Sequence, residues 1–251
     1  MKLVFRAELI KLKRSSIWLI ALALPLLAVI TGTINLANNP DALNAGWASF
    51  ISQVTLFYSL LFYSMGIALL TATAWRMEHR GTNWNLLLTG TRRPARLVLA
   101  KVVVIAVPVA FMQLVLVGGT VASGVVVLRL DGAVSWQFAA VGALSVIVAL
   151  PLIAFQSMLS MLLKSFAVPV AICLLGCVAS IAAVTSDALH PLSYALPQAL
   201  NTRTLNLGST AFAGSGGLTG ADVAPLLGAA LVLTATAIGL TTVAMRVIKL
   251  R

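Results

Sequence analysis

Residues 42–75 read ALNAGWASFISQVTLFYSLLFYSMGIALLTATAW and contain no charged side chain. A helix crosses a hydrocarbon core in about 20 apolar residues, so this stretch is long enough to span a membrane. Comparable charge-free runs occupy 15–40, 102–128, 132–163, 165–186 and 223–245. They are rich in Leu, Val, Ala and Ile, with Gly and Pro inside them, which helices in lipid tolerate. The chain of 251 residues is 60% hydrophobic and only 9% charged, too little polar surface for a soluble domain of this size. The predicted fold is all-α and integral to the membrane. Six transmembrane helices lie in a single domain over 1–251, near 16–36, 48–74, 98–128, 136–162, 166–186 and 223–245. Pro108 and Gly118-Gly119 suggest a kink in the third. No internal repeat is evident.

The net charge of +11 raises the question of a nucleic-acid partner. The distribution answers it. With the N-terminus in the cytoplasm and six crossings, fifteen of the seventeen Lys and Arg fall inside, and only Arg129 and Arg203 fall outside. The opposite orientation inverts that split. The positive-inside bias accounts for the basicity without nucleic acid, and it places both termini in the cytoplasm. Asp41, Asp131, Asp187 and Asp222 fall outside.

The first residues, MKLVFRAELIKLKR (1–14), carry Phe5, Leu9 and Leu12 on one helical stripe beside basic groups. They read as a helix lying on the membrane surface near anionic lipid, or as a flank that only orients the first span; the first reading is preferred. The apolar run after Arg14 is long and no clear small-residue cleavage site ends it, so the start is read as uncleaved. Residues 187–222 are long and unusual. ALHPLSYALPQAL (188–200) is apolar but too short to cross, and two prolines break it, which favours a re-entrant or interfacial piece. A small-residue stretch, NLGSTAFAGSGGLTG, follows.

Few groups carry chemistry. Cys173 and Cys177, four apart on one helix face, read as packing residues rather than metal ligands, because no His or acid lies nearby in sequence. His190, beside Pro191, reads as structural or interfacial. No Asp, Glu, Lys or Arg lies well inside a span, which disfavours ion-coupled transport. No H-E-x-x-H, G-x-S-x-G or phosphate loop occurs, so catalysis and ATP binding by that route are not expected of this chain. The neutral and aromatic groups Gln53, Phe57, Tyr58, Gln113 and Gln156 are helix–helix packing residues or a candidate path for an amphipathic substrate.

Charge gathers instead at 76–96, RMEHRGTNWNLLLTGTRRPAR, within a cytoplasmic loop over 75–97. Orientation accounts for part of this charge, and the arginines either only enforce topology and bind lipid headgroups or help dock a partner; docking is preferred. Orientation does not explain Trp84, Leu87 and Leu88, which share a helical face (i, i+3, i+4) and suit a groove on a partner.

These features together resemble the type-2 ABC exporter permeases, most of all the branch with the permeases of lantibiotic-immunity and bacitracin-type efflux systems. A basic start E-x-x-K-x-K-R-S (Glu8, Lys11, Lys13, Arg14, Ser15) leads into the first span. The loop after the second span carries Glu78, Gly81-Thr82, Leu86-Leu87-Leu88 and Arg92-Arg93, and Lys101 opens the third span. The resemblance implies a bacterial cytoplasmic-membrane complex of two permease subunits and two separate ATPase subunits, with ATP and Mg held by the latter and no cofactor here. The second permease subunit would be a copy of this chain or a related one. Glu8, Lys11, Lys13 and Arg14 would belong to a connecting helix. Arg76, Glu78, Arg80, Gly81, Thr82, Trp84, Leu87, Leu88, Arg92 and Arg93 would form the coupling segment on the ATPase, with Arg76, Glu78 and Arg80 holding the loop against the connecting helix or the ATPase. The segment between spans five and six would form short external helices dipping into the membrane. The family's loop often has more acid, whereas Glu78 stands alone among arginines here. The implied function is export of an amphipathic molecule, such as a peptide antibiotic. The competing readings are a scaffold or sensor subunit that recruits a cytoplasmic partner and, less favoured, a membrane-embedded enzyme.

Overall fold

A computed structural model describes residues 2–13, 15–39, 43, 46–79, 94–209 and 216–249. All regular structure among them is helical. Helix α1 (Lys2–Lys13) precedes α2 (Ile17–Asn38). Then come α3 (Trp47–Arg76), α4 (Pro94–Val126), α5 (Trp136–Leu162) and α6 (Ala167–Thr185). A 3-10 helix (Asp187–Tyr194), α7 (Pro197–Leu205) and α8 (Gly220–Lys249) complete the chain. Helices α2 to α6 and α8 are the six long and apolar enough to cross a membrane. Helix α4 stays one helix from Pro94 to Val126, through Pro108 and Gly118-Gly119. Span α5 is interrupted at Ala149. Pro151 there lacks an N–H and crowds the carbonyl four residues earlier.

The spans run up and down, and side-chain pairs mark each level. At one end Gly32 lets α2 and α3 approach: a Cβ on it would lie 2.5 Å from Val54 Cγ2 and 2.9 Å from Val54 Cα. Gly124 does the same for the Trp47 ring, whose Cη2 would stand 2.4 Å from a Cβ there. Small residues at such crossings let helices pack without a hydrophobic drive between them in lipid. Asn35 donates to Gln53 Oε1 at 2.7 Å between α2 and α3.

Midway along α3 the ladder widens into a π turn, Tyr58–Phe62. Such turns disturb the i→i−4 pattern and often occur where another group must bind. Here α7 meets it. Thr202 Oγ1 donates to the Ser59 carbonyl at 3.0 Å, and Asn206 Nδ2 donates to Ser59 Oγ at 2.7 Å. Ser59 lies twelve residues into α3. At 1.5 Å per residue that is ~18 Å from the Trp47 end, so α7 reaches deep between the spans. Its polar residues Asn201, Thr202 and Thr204 are buried.

Candidate coupling site

The end of the bundle that holds the N-terminus of α2 also holds α1 and the segment just past α3. Leu12 of α1 is buried, and Phe5 and Leu9 pack against the same core. That apolar stripe lays α1 on α4 and turns Glu8 inward, where its side chain is 8% exposed. Glu8 and Lys11 are three apart and so neighbours on the helix surface. Lys11 Nζ lies 2.8 Å from Glu8 Oε1 and 2.7 Å from Glu78 Oε1. Lys101 Nζ lies 2.7 Å from Glu8 Oε2 and 2.9 Å from Glu78 Oε1. Two lysines and two glutamates thus close a neutral ring between α1, the end of α3 and α4. Lys101, only 2% exposed, also sits 4.8 Å from the centroid of the buried Trp75 ring.

The backbone past α3 is fixed by the same neighbourhood. The Glu78 and His79 N–H groups both donate to the Trp75 carbonyl, at 2.9 and 3.3 Å. His79 Nε2 lies 2.9 Å from the Ser160 carbonyl of α5. The chain therefore enters the 80–93 segment held on one side to α1 and α4 and on the other to α5.

Electrostatics agrees with the geometry. Burial alone would push the Glu78 carboxyl up, but Lys101 and Lys11 outweigh it and hold the group below its ordinary value of 4.5. Burial would push Lys11 down, but its bonds to Glu78 and Glu8 outweigh that and raise it above 10.5. Removing one member of a buried pair leaves an uncompensated charge and costs about 3–5 kcal/mol.

Of the residues singled out from sequence, Glu8, Lys11 and Glu78 meet in this ring. Lys13 is exposed, and so is Arg76, whose guanidinium lies 5.7 Å from the centre of the Phe166 ring. Arg14, Arg80, Gly81, Thr82, Trp84, Leu87, Leu88, Arg92 and Arg93 lie outside the described residues. Of the candidate path residues, Gln113 and Tyr58 come together. Tyr58, Gln113 and Gln156 are buried, and Gln113 Nε2 donates to Tyr58 Oη at 3.4 Å. Gln53 pairs with Asn35, and Phe57 is 41% exposed on the bundle's outer surface. Cys173 and Cys177 are buried, the first with its thiol 3.4 Å from the Ser64 carbonyl.

Sequence reasoning left Lys101, Trp75 and His79 out of the site. Lys101 looked like a flank opening the third span. It is in fact seven residues past the start of α4, and it carries the ring. A lone Lys followed by a long charge-free run was the available signal, since a cation that deep needs carboxylates beside it.

A family model described as ABC-2 family transporter protein matches residues 4–180, which contain the whole ring and the spans α2 to α5. The chain belongs to that family, whose members are membrane components of ABC transporters and pair with an ABC ATPase. No curated protein and no solved structure matches the chain.

Proposed function

We propose that this chain is the permease subunit of an ATP-driven exporter, with the 80–93 segment docked on a separate ATPase. The observation that carries this reading is the Glu8–Lys11–Glu78–Lys101 ring, reinforced by His79 on Ser160. A segment that merely oriented the protein would need no buried fastening to three helices. Movement of the ATPase would pull on residues 80–93. The ring would pass that pull to α1 and α4, and His79 would pass it to α5. Two ATPase subunits bind and hydrolyse ATP with Mg, and a second permease subunit, identical or related, completes the membrane part. The charge distribution supports a bacterial cytoplasmic membrane location with both termini and the ring inside.

The substrate class that fits a bundle of apolar spans with neutral polar groups is an amphipathic molecule, and the sequence resemblance favours a peptide antibiotic. Replacing Trp84 and Leu87 with charged residues tests the docking. The expected result is loss of ATPase during co-purification and loss of transport. Full recovery of both would overturn the docking of this segment, whereas ATPase binding by the wild type with no transport at all would favour a scaffold or sensor.

A further inference from the structure

At the end opposite the ring, a cavity of about 320 Å³ opens between the N-terminal ends of α3 and α5 and the C-terminal end of α7. That size lies at the lower limit of pockets that hold small molecules. Its residues sort by depth. Ala48, Ser135, Gln137 and Gly208 at the mouth are exposed, while Phe138, Val141 and Leu205 farther in are buried or nearly so. The buried Thr55 hydroxyl already donates to the Ile51 carbonyl at 2.7 Å, so the deep wall offers little hydrogen bonding. Among the described residues, no Asp, Glu, Lys, Arg or His lines the cavity.

Two tryptophans bracket it. Trp47 forms one wall, and its indole N–H has no partner among the described residues. Trp136, next to the mouth, is 72% exposed. Tryptophans gather where a membrane meets water, so the mouth lies at the level of lipid headgroups. A charged head would find no counter-ion in such a cavity, and bringing a charge in unpaired is costly.

We propose that this cavity holds the alkyl tail of an amphiphile with an uncharged, hydrogen-bonding head. The tail lies against Phe138, Val141 and Leu205, and the head stays at the mouth beside Ser135 and Gln137. The assignment rests on the cavity alone and stands whether or not the chain transports. Two sources present this chemistry: a lipid of the surrounding bilayer, or a free amphiphile that reaches the bilayer.

The full chain in nanodiscs carrying Gln137→Cys tests it. The reporter reacts with a water-soluble maleimide, while Cys173 and Cys177 are buried. Octyl glucoside, octyltrimethylammonium and octyl sulfate, added below solubilising concentration, share a chain length and differ in head charge. Octyl glucoside is expected to slow labelling, about tenfold when its concentration is near ten times its Kd, and the ionic pair to leave it unchanged. Val141→Trp, which fills the floor, removes the protection. Ala48→Phe at the exposed mouth does the same without disturbing the core. Equal slowing by all three, or protection that survives both variants, overturns the proposal.

Brominated chains separate the sources, read as the emission quenched in the wild type but not in Trp47→Phe. Quenching by chain-brominated glucosyl diacylglycerol in the bilayer, and not by chain-brominated phosphatidylcholine, identifies an uncharged bilayer lipid. Quenching only by added brominated octyl glucoside identifies a free amphiphile. Quenching by neither glucosyl compound overturns the proposal.

Discussion

The two ends of the bundle handle charge in opposite ways. At one end Lys101 is buried against two carboxylates, and each partner in the ring is itself charged. At the other end Arg203 of α7 makes no direct carboxylate contact among the described residues, although the solvent-accessible Asp222 carboxylate feels its charge. Arg203 bonds His190, donates to Ser193 Oγ and Tyr194 Oη at 3.1 Å each, and sits 4.7 Å from the centre of the Tyr194 ring. The first arrangement fails badly if any member is lost, because the remainder is a buried net charge. The second degrades gently, because loss of Arg203 leaves no buried carboxylate behind. A rigid joint belongs where force must be passed on. Adaptable polar contacts suit an end that carries an open cavity.

Loss of one cation at each end makes the contrast quantitative. Lys101→Met leaves Glu8 and Glu78 facing each other, and thermal unfolding in detergent is expected to show a loss of about 3–5 kcal/mol. Arg203→Gln removes neutral hydrogen bonds and a cation–π contact, with an expected loss of about 1–2 kcal/mol in the same assay. Equal losses would erase the distinction. Thr202→Val, which frees the Ser59 carbonyl at the π turn, is expected to cost about 1 kcal/mol by the same measurement.

Titration separates the ends further. The folded Glu78 carboxyl lies below its ordinary 4.5, so its contribution is present above that pH and is lost as pH falls through the folded value. Lys11 lies above 10.5, so its contribution is present below that pH and is lost as pH rises through the folded value. The contributions of Glu78 and Lys11 are therefore flat between these limits, and Glu78→Gln removes the Glu78 part of the acid-side loss in a melting-temperature series. The smallest effect belongs to the exposed Lys13. Lys13→Ala is expected to stay within about 0.5 kcal/mol of wild type.

How much of this was legible in the sequence follows from the range of the interactions. Hydropathy is local, so all six spans appear within a few residues of their ends, as does the helical stripe of Phe5, Leu9 and Leu12. The ring is not local. Lys101 pairs with Glu8 across 93 positions and Lys11 with Glu78 across 67. The resemblance suggests Glu78 against the connecting helix or the ATPase, but nothing local marks Lys101 as the group that joins Glu8 to Glu78. The π turn was equally hidden, because what marks it is a partner, α7, that arrives 143 residues later through Thr202. The candidate path was read from residue type alone. Packing pairs two of its members, Gln113 and Tyr58, and turns Phe57 outward.

The central claim is that the ring carries motion between the ATPase-facing segment and the spans. Neutralising all four members together, with Glu8→Gln, Lys11→Met, Glu78→Gln and Lys101→Met, leaves no buried unpaired charge and so spares the fold. The decisive measurement is the ATP hydrolysis rate of the reconstituted complex relative to the isolated ATPase. The account predicts that the fourfold variant still co-purifies with the ATPase in full yield, while hydrolysis falls to the rate of the ATPase alone. A fourfold variant that hydrolyses ATP at the wild-type complex's rate would contradict it.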